Sequence, residues 1–164
     1  MDESSPPAPQ PPVELPRRLR LALGILDIAG GAGGLLMLAW TAFSEPLGLG
    51  TAFIFGVAGL GYLFAVMCGI GALRRLDKWL ELNTLLWALQ VPLVSSPLLS
   101  YLFCVGAFLS PGINFSQPSF GVQFFLGSRF ELSLLIERPW ILGVNVLALG
   151  VLIYLLRFRK KRRA

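Results

Sequence analysis

Histidine is absent from all 164 residues, and cysteine occurs only twice. Without histidine no Ser-His-Asp set can form. No cysteine cluster or acidic constellation stands in for the missing imidazoles, so zinc and haem sites are not expected. Cys68 and Cys104 make no CxxC pair, which excludes a thiol oxidase built on that motif. Charge is scarce as well. Charged residues make up 14% of the chain, against about 25% in an ordinary soluble domain. The start, MDESSPPAPQPP, lacks the basic segment and apolar run of a secretory signal, so no cleaved leader is expected. From these absences we expect a non-enzymatic protein with no cofactor and no metal.

What the chain has is apolar length. Its mean hydropathy is +0.70. Apolar stretches lie near residues 21–43, 50–73, 82–109 and 139–156. A helix of about 20 apolar residues crosses a hydrocarbon layer of roughly 30 Å. Each stretch comes close to that length or exceeds it. The expected fold is therefore an all-α membrane protein, a four-transmembrane-helix bundle over residues 19–157. A disordered Pro-rich tail (1–18) precedes it and a polybasic tail (158–164) follows.

The net charge of +5 does not imply a nucleic-acid partner, because of where the cations sit. Arg17, Arg18 and Arg20 precede the first stretch. Arg74, Arg75 and Lys78 lie between the second and third. Arg157, Arg159, Lys160, Lys161, Arg162 and Arg163 follow the fourth, and only Arg129 and Arg138 remain for the other side. Such alternation is the positive-inside pattern of an even number of crossings. It places both termini in the cytoplasm of a cell with an inner membrane. The last six cations also suit anionic lipid headgroups, at about 1 kcal/mol per charge.

Within the third stretch Pro92 and Pro97 are expected to kink a long, tilted helix. Between the third and fourth stretches the pattern changes from helical to alternating. Phe120, Val122, Phe124 and Leu126 alternate, as do Phe130, Leu132, Leu134 and Ile136, around Gly127-Ser128-Arg129. This predicts an extracytoplasmic amphipathic β-hairpin over about 113–136. It would pair Leu126 with Phe130, Phe124 with Leu132, Val122 with Leu134 and Phe120 with Ile136. The opposite face would carry Gln123, Arg129, Glu131 and Ser133, with Phe125 and Leu135 breaking the pattern.

Asp27 is the sharpest single feature. An acid deep in a span costs on the order of 3 kcal/mol on insertion scales and by default marks function. Gly24, Gly31 and Gly34 share its helix face, and Gly30 to Gly34 is a GxxxG step, so Asp27 is expected in a close interhelical seam. Gln90 is its expected neighbour, with Cys68 at similar depth, and Asn145 is the third intramembrane polar candidate. Gly61, Ala65 and Gly69 form a ladder of small residues on the second span, suited to packing on the first span or on a partner. Two functions remain open. One is a scaffold, accessory subunit or modulator of another membrane component, with another membrane protein or a second copy as the expected partner. The other is a small transporter or channel component with Asp27 as its proton or cation site.

Overall fold

The computed structural model describes residues 15–44, 48–76, 78–135 and 137–163. The expected disorder of the N-terminal tail falls on residues outside that set, apart from its last few. Arg17 and Arg18 already belong to the first helix. Among the described residues the chain forms four helices and a six-stranded antiparallel sheet. The expected all-α four-span bundle is therefore incorrect.

Two helices keep their expected length. Helix α1 is Arg17–Ser44 and α2 is Leu49–Arg74. They are the two helices, among the described residues, that are long and apolar enough to cross a membrane. Helix α2 stops at Arg75, which adopts a left-handed conformation (φ 57°) and donates its N–H to the Gly71 carbonyl. That αL cap satisfies a carbonyl the helix leaves open.

The third apolar stretch divides. Helix α3 covers only Trp79–Leu89, 11 residues. Strands β1 (Pro92–Ser95), β2 (Leu99–Cys104) and β3 (Ala107–Asn114) follow. Proline explains the change. Pro92 disfavours the helical region for the residue before it and cannot donate to a continuing helix. Pro97 sits in the turn between β1 and β2, held by Ser96, whose backbone N–H and hydroxyl both donate to the Leu99 carbonyl. The two prolines thus end a helix and build a hairpin. They do not kink a span.

The fourth stretch divides too. Residues 141–144 form β6 (Ile141–Val144), and α4 starts only at Val146 and runs to Arg163. The basic C-terminal segment is therefore helical as far as Arg163.

The alternating runs do become strands, β4 (Ser119–Leu126) and β5 (Arg129–Leu134). They do not pair with each other. β4 pairs with β3 and β5 with β2, and the sheet order is β4-β3-β6-β1-β2-β5. Ile136, the last expected partner, lies outside the described residues. The observed pairing has a physical reason. Cys104 faces Arg129 and Ala107 faces Leu126, so β2–β3 and β4–β5 keep one register throughout. They are two arms of a single long hairpin, interrupted only at Val105-Gly106 and Gly127-Ser128. Pairing along both arms satisfies many more backbone groups than a local hairpin at 127–129 could. Glycine at 106 (φ 88°) and 127 (φ 129°) supplies left-handed conformations at the break, where Gly127 N–H donates to the Gly106 carbonyl. β6 pairs with both β3 and β1, and β1 pairs with β2, so the sheet curls back on itself.

The register divides the curled sheet into two faces. The inner face carries Phe108 stacked on Phe125, with ring centroids 4.8 Å apart, beside Leu102 and Cys104. Phe125, a break in the expected pattern, is thus the inner core of β4. Apart from Leu93 and Ile141, the rest of that face is small or polar. The outer face is apolar. Part of it, Phe103 with Phe130 beside it, packs on Tyr62 and Gly61 of α2. Most of the remainder is uncovered.

Candidate functional site

The site is the level at which helices give way to strands. One stripe of α1 is buried there: Arg20, Leu23, Gly24, Asp27, Gly30, Gly31 and Gly34. Three of these glycines face α2. A Cβ on Gly24 would stand 3.1 Å from the Gly69 carbonyl, and one on Gly31 would stand 2.7 Å from the Tyr62 carbonyl. Gly34 meets the Tyr62 ring. Gly30 turns the other way, toward the sheet. A Cβ there would stand 2.5 Å from the Gly106 nitrogen, and the Ser128 hydroxyl donates to the Gly30 carbonyl at 2.6 Å. The expected ladder on α2 divides in the same manner. Gly69 packs on α1, Gly61 packs on Phe103, and Ala65 is buried between them in the α2 core.

Asp27 lies within this seam, fully buried. Neither carboxyl oxygen has a hydrogen-bond partner among the described residues. Cys68 of α2 is fully buried as well. Asn83 of α3 anchors the same region, donating to the Cys68 and Trp79 carbonyls at 3.1 and 3.2 Å while its Oδ1 remains without a partner. Trp87 Nε1 and Asn145 Nδ2 are also buried without partners among the described residues.

Gln90 and Asn145 do something different from Asp27. Gln90 Oε1 accepts the Val105 N–H at 2.8 Å, and its amide donates to the Leu86 carbonyl at 3.4 Å. Asn145 Oδ1 accepts from Leu109 and Ala148, each at 3.3 Å, while its own N–H donates to the Val91 carbonyl at 2.8 Å. The bond to Ala148 is an N-cap for α4. Both amides thus satisfy backbone groups where α3 ends and α4 begins, and neither bonds to Asp27.

A second polar group occupies the inside of the sheet. Glu131 pairs with Arg129 and Arg138 and accepts from the Ser100 hydroxyl. These residues, with Ser95 and Gln123, line a cavity of about 210 Å³. A neighbouring cavity of about 200 Å³ is lined by Ser110, Asn114, Ser119 and Gln123 among others. The alternation of residues 119–134 located this polar face. The curl that turns it inward depends on β1 and β6, which read in sequence as parts of helices. Among the described residues no cluster of three or more His, Cys, Asp or Glu side chains could hold a metal ion.

The chain matches no protein-family model, no curated protein and no solved structure. Its function is therefore argued from this geometry alone.

Among the described residues, the cationic side chains of α1, α2 and α4 gather at one end, where α3 begins. Leu15 and Leu19 pack with Trp79, Leu155 and Phe158 in one cluster, which joins the start of α1, the start of α3 and the end of α4. Arg159 reaches Glu81 at 3.0 Å across the α3–α4 contact. Arg157, Lys160 and Lys161 are exposed at this end. The side chains of Arg162 and Arg163 lie outside the described residues.

Proposed function

We propose that this chain is an integral protein of the inner membrane, crossing the bilayer with α1 and α2, and that it serves as a non-enzymatic scaffold or accessory subunit for another membrane component. The crossing is supported by length and surface. At 1.5 Å per residue, α1 and α2 extend about 40 Å each, against roughly 30 Å of hydrocarbon. Trp40, Phe53, Leu60 and Met67 are among the many large apolar side chains they leave exposed, from 65% to 74%. The gathered cations support a cytoplasmic location for that end and for both termini, and their exposed members suit anionic lipid.

The observation that carries the scaffold reading is the uncovered outer half of the α1–α2 hairpin. Helices α3 and α4 reach only part of the way along it, so the sheet alone flanks the remainder. A Cβ on Gly33 of α1, or on Gly50 or Gly56 of α2, would meet no atom within 4 Å. Small residues open in this way let a second helix approach closely. Native mass spectrometry of the gently extracted protein from its own host tests the reading. A stoichiometric second membrane protein, lost on Gly33→Leu and Gly56→Leu substitution, supports it, and a homo-oligomer alone overturns it. A bare monomer overturns it.

A second reading rests on Asp27. An intramembrane acid with no partner is a candidate proton or cation site. Reconstituted Asp27→Asn protein tests it. This reading requires that proton-coupled flux by the native chain be lost in the variant while assembly persists. Equal flux in both proteins, or none in either, removes it.

A further inference from the structure

The sheet is inverted relative to a sheet in water. A soluble sheet turns its apolar alternate residues to a core and its polar ones outward. Here the inner face holds Ser95, Ser100, Ser110, Gln123, Arg129 and Glu131 around the two cavities, beside Leu93, Ile141 and the Phe108–Phe125 cluster. The outer face carries Ile113, Phe120, Val122, Phe124, Leu126 and Leu142, from 47% to 74% exposed. Polar-in, apolar-out alternation is how strands meet lipid.

Depth points the same way. Gly30 is the fourteenth of the 28 residues of α1, and its backbone touches Gly106. The sheet is therefore attached at the middle of a membrane-crossing helix, with about 20 Å of that helix still to run. Ser128, Arg129 and Phe130 share a cavity with Met37 and Thr41, two to three turns further along α1. The sheet begins where α3 and α4 fall short, and the start of β5 lies beside the part of α1 and α2 that they leave uncovered.

Lipid exposure requires that backbone groups be satisfied internally. Strand β3 meets this by pairing with β4 on one side and β6 on the other. Gln123 of the edge strand β4 and Arg129 and Glu131 of the edge strand β5 line one cavity, so the two edges turn toward a shared polar interior.

We propose that the outer face of the β3–β4 half of the sheet lies against the acyl chains of the bilayer, making the sheet a membrane-embedded unit and not a water-exposed cap. The inference rests on the reading that α1 and α2 cross the membrane, and the test separates the two. Nitroxide labels are placed one at a time at Val122→Cys, Phe124→Cys and Leu60→Cys in the full chain in phospholipid nanodiscs. Cys68 and Cys104 are fully buried and do not compete for label. Collision with oxygen, which partitions into lipid, is compared with collision with a water-soluble nickel chelate. The expected result is oxygen-dominated collision at all three positions. Chelate-dominated collision at 122 and 124, with oxygen dominant at 60, overturns this inference and leaves the helix anchor standing. Chelate-dominated collision at 60 overturns the anchor itself, and this inference with it. Protection from both probes at 122 and 124 means that a protein surface covers the face, which also overturns it.

Discussion

Asp27, Gln90 and Asn145 are three buried polar residues at one level of the molecule, yet their energetics differ. Gln90 and Asn145 each close backbone groups that a helix-to-strand switch leaves open. Losing such a cap costs about 0.5–2 kcal/mol. Asn145→Ala should therefore lower stability by that amount, read as a shift in the denaturation midpoint in detergent. Asp27 closes nothing among the described residues. A buried polar group without a partner costs about 1–3 kcal/mol, so Asp27→Leu should stabilise the protein by a similar amount in the same assay. A loss of stability in Asp27→Leu would show that the carboxyl holds the bundle together. Gln90, the expected neighbour of Asp27, bonds to Leu86 and Val105 instead. The acid remains the residue most in need of a function.

At the scale of elements, the joints are backbone-to-backbone contacts. Gly30 against Gly106 fixes the sheet to α1, and Gly24 against Gly69 fixes α1 to α2. Overpacking such a contact costs typically about 1–3 kcal/mol. Gly30→Ala should fall in that range, and Gly106→Ala should exceed it because Gly106 also has a positive φ. Gly33→Ala, one turn from Gly30 with open space at its Cβ position, should change stability by less than about 0.5 kcal/mol. Thermal unfolding of the three variants in one lipid composition checks the ranking. The α1–α2 seam was legible in sequence, since the glycines recur at helical spacing around Asp27. The division of labour within it was not. Gly30 and Gly34 read as one GxxxG step, yet one faces the sheet and the other faces α2. The third and fourth stretches misled for a related reason. Hydropathy reports that a segment is apolar, and a lipid-facing strand is as apolar as a lipid-facing helix. The discriminating signals were Pro92, the Ser95-Ser96-Pro97 turn, and Tyr101, Phe103 and Val105 after it. Each is compatible with a kinked span when taken alone. The alternation of residues 119–134 did identify strands. Their partners lay in segments already assigned to a helix, so the pairing was out of reach.

Taken whole, the molecule is a helical half and a strand half, stacked along the α1–α2 hairpin. Cations gather at the helical end, and that clustering was readable from their positions along the chain. On the proposed reading this end meets anionic headgroups. Replacing exposed Lys160 and Lys161 with Gln should weaken partitioning to anionic over neutral vesicles by about 1 kcal/mol per charge, with the loss vanishing at high salt. Equal partitioning by both proteins would reduce these residues to a topology signal. Infrared spectroscopy with polarised light, on the full chain in oriented bilayers, tests the architecture most directly. The account predicts a helical amide band polarised along the bilayer normal together with a distinct antiparallel-strand band. A spectrum with the helical band alone would restore the four-span bundle and contradict the fold described above.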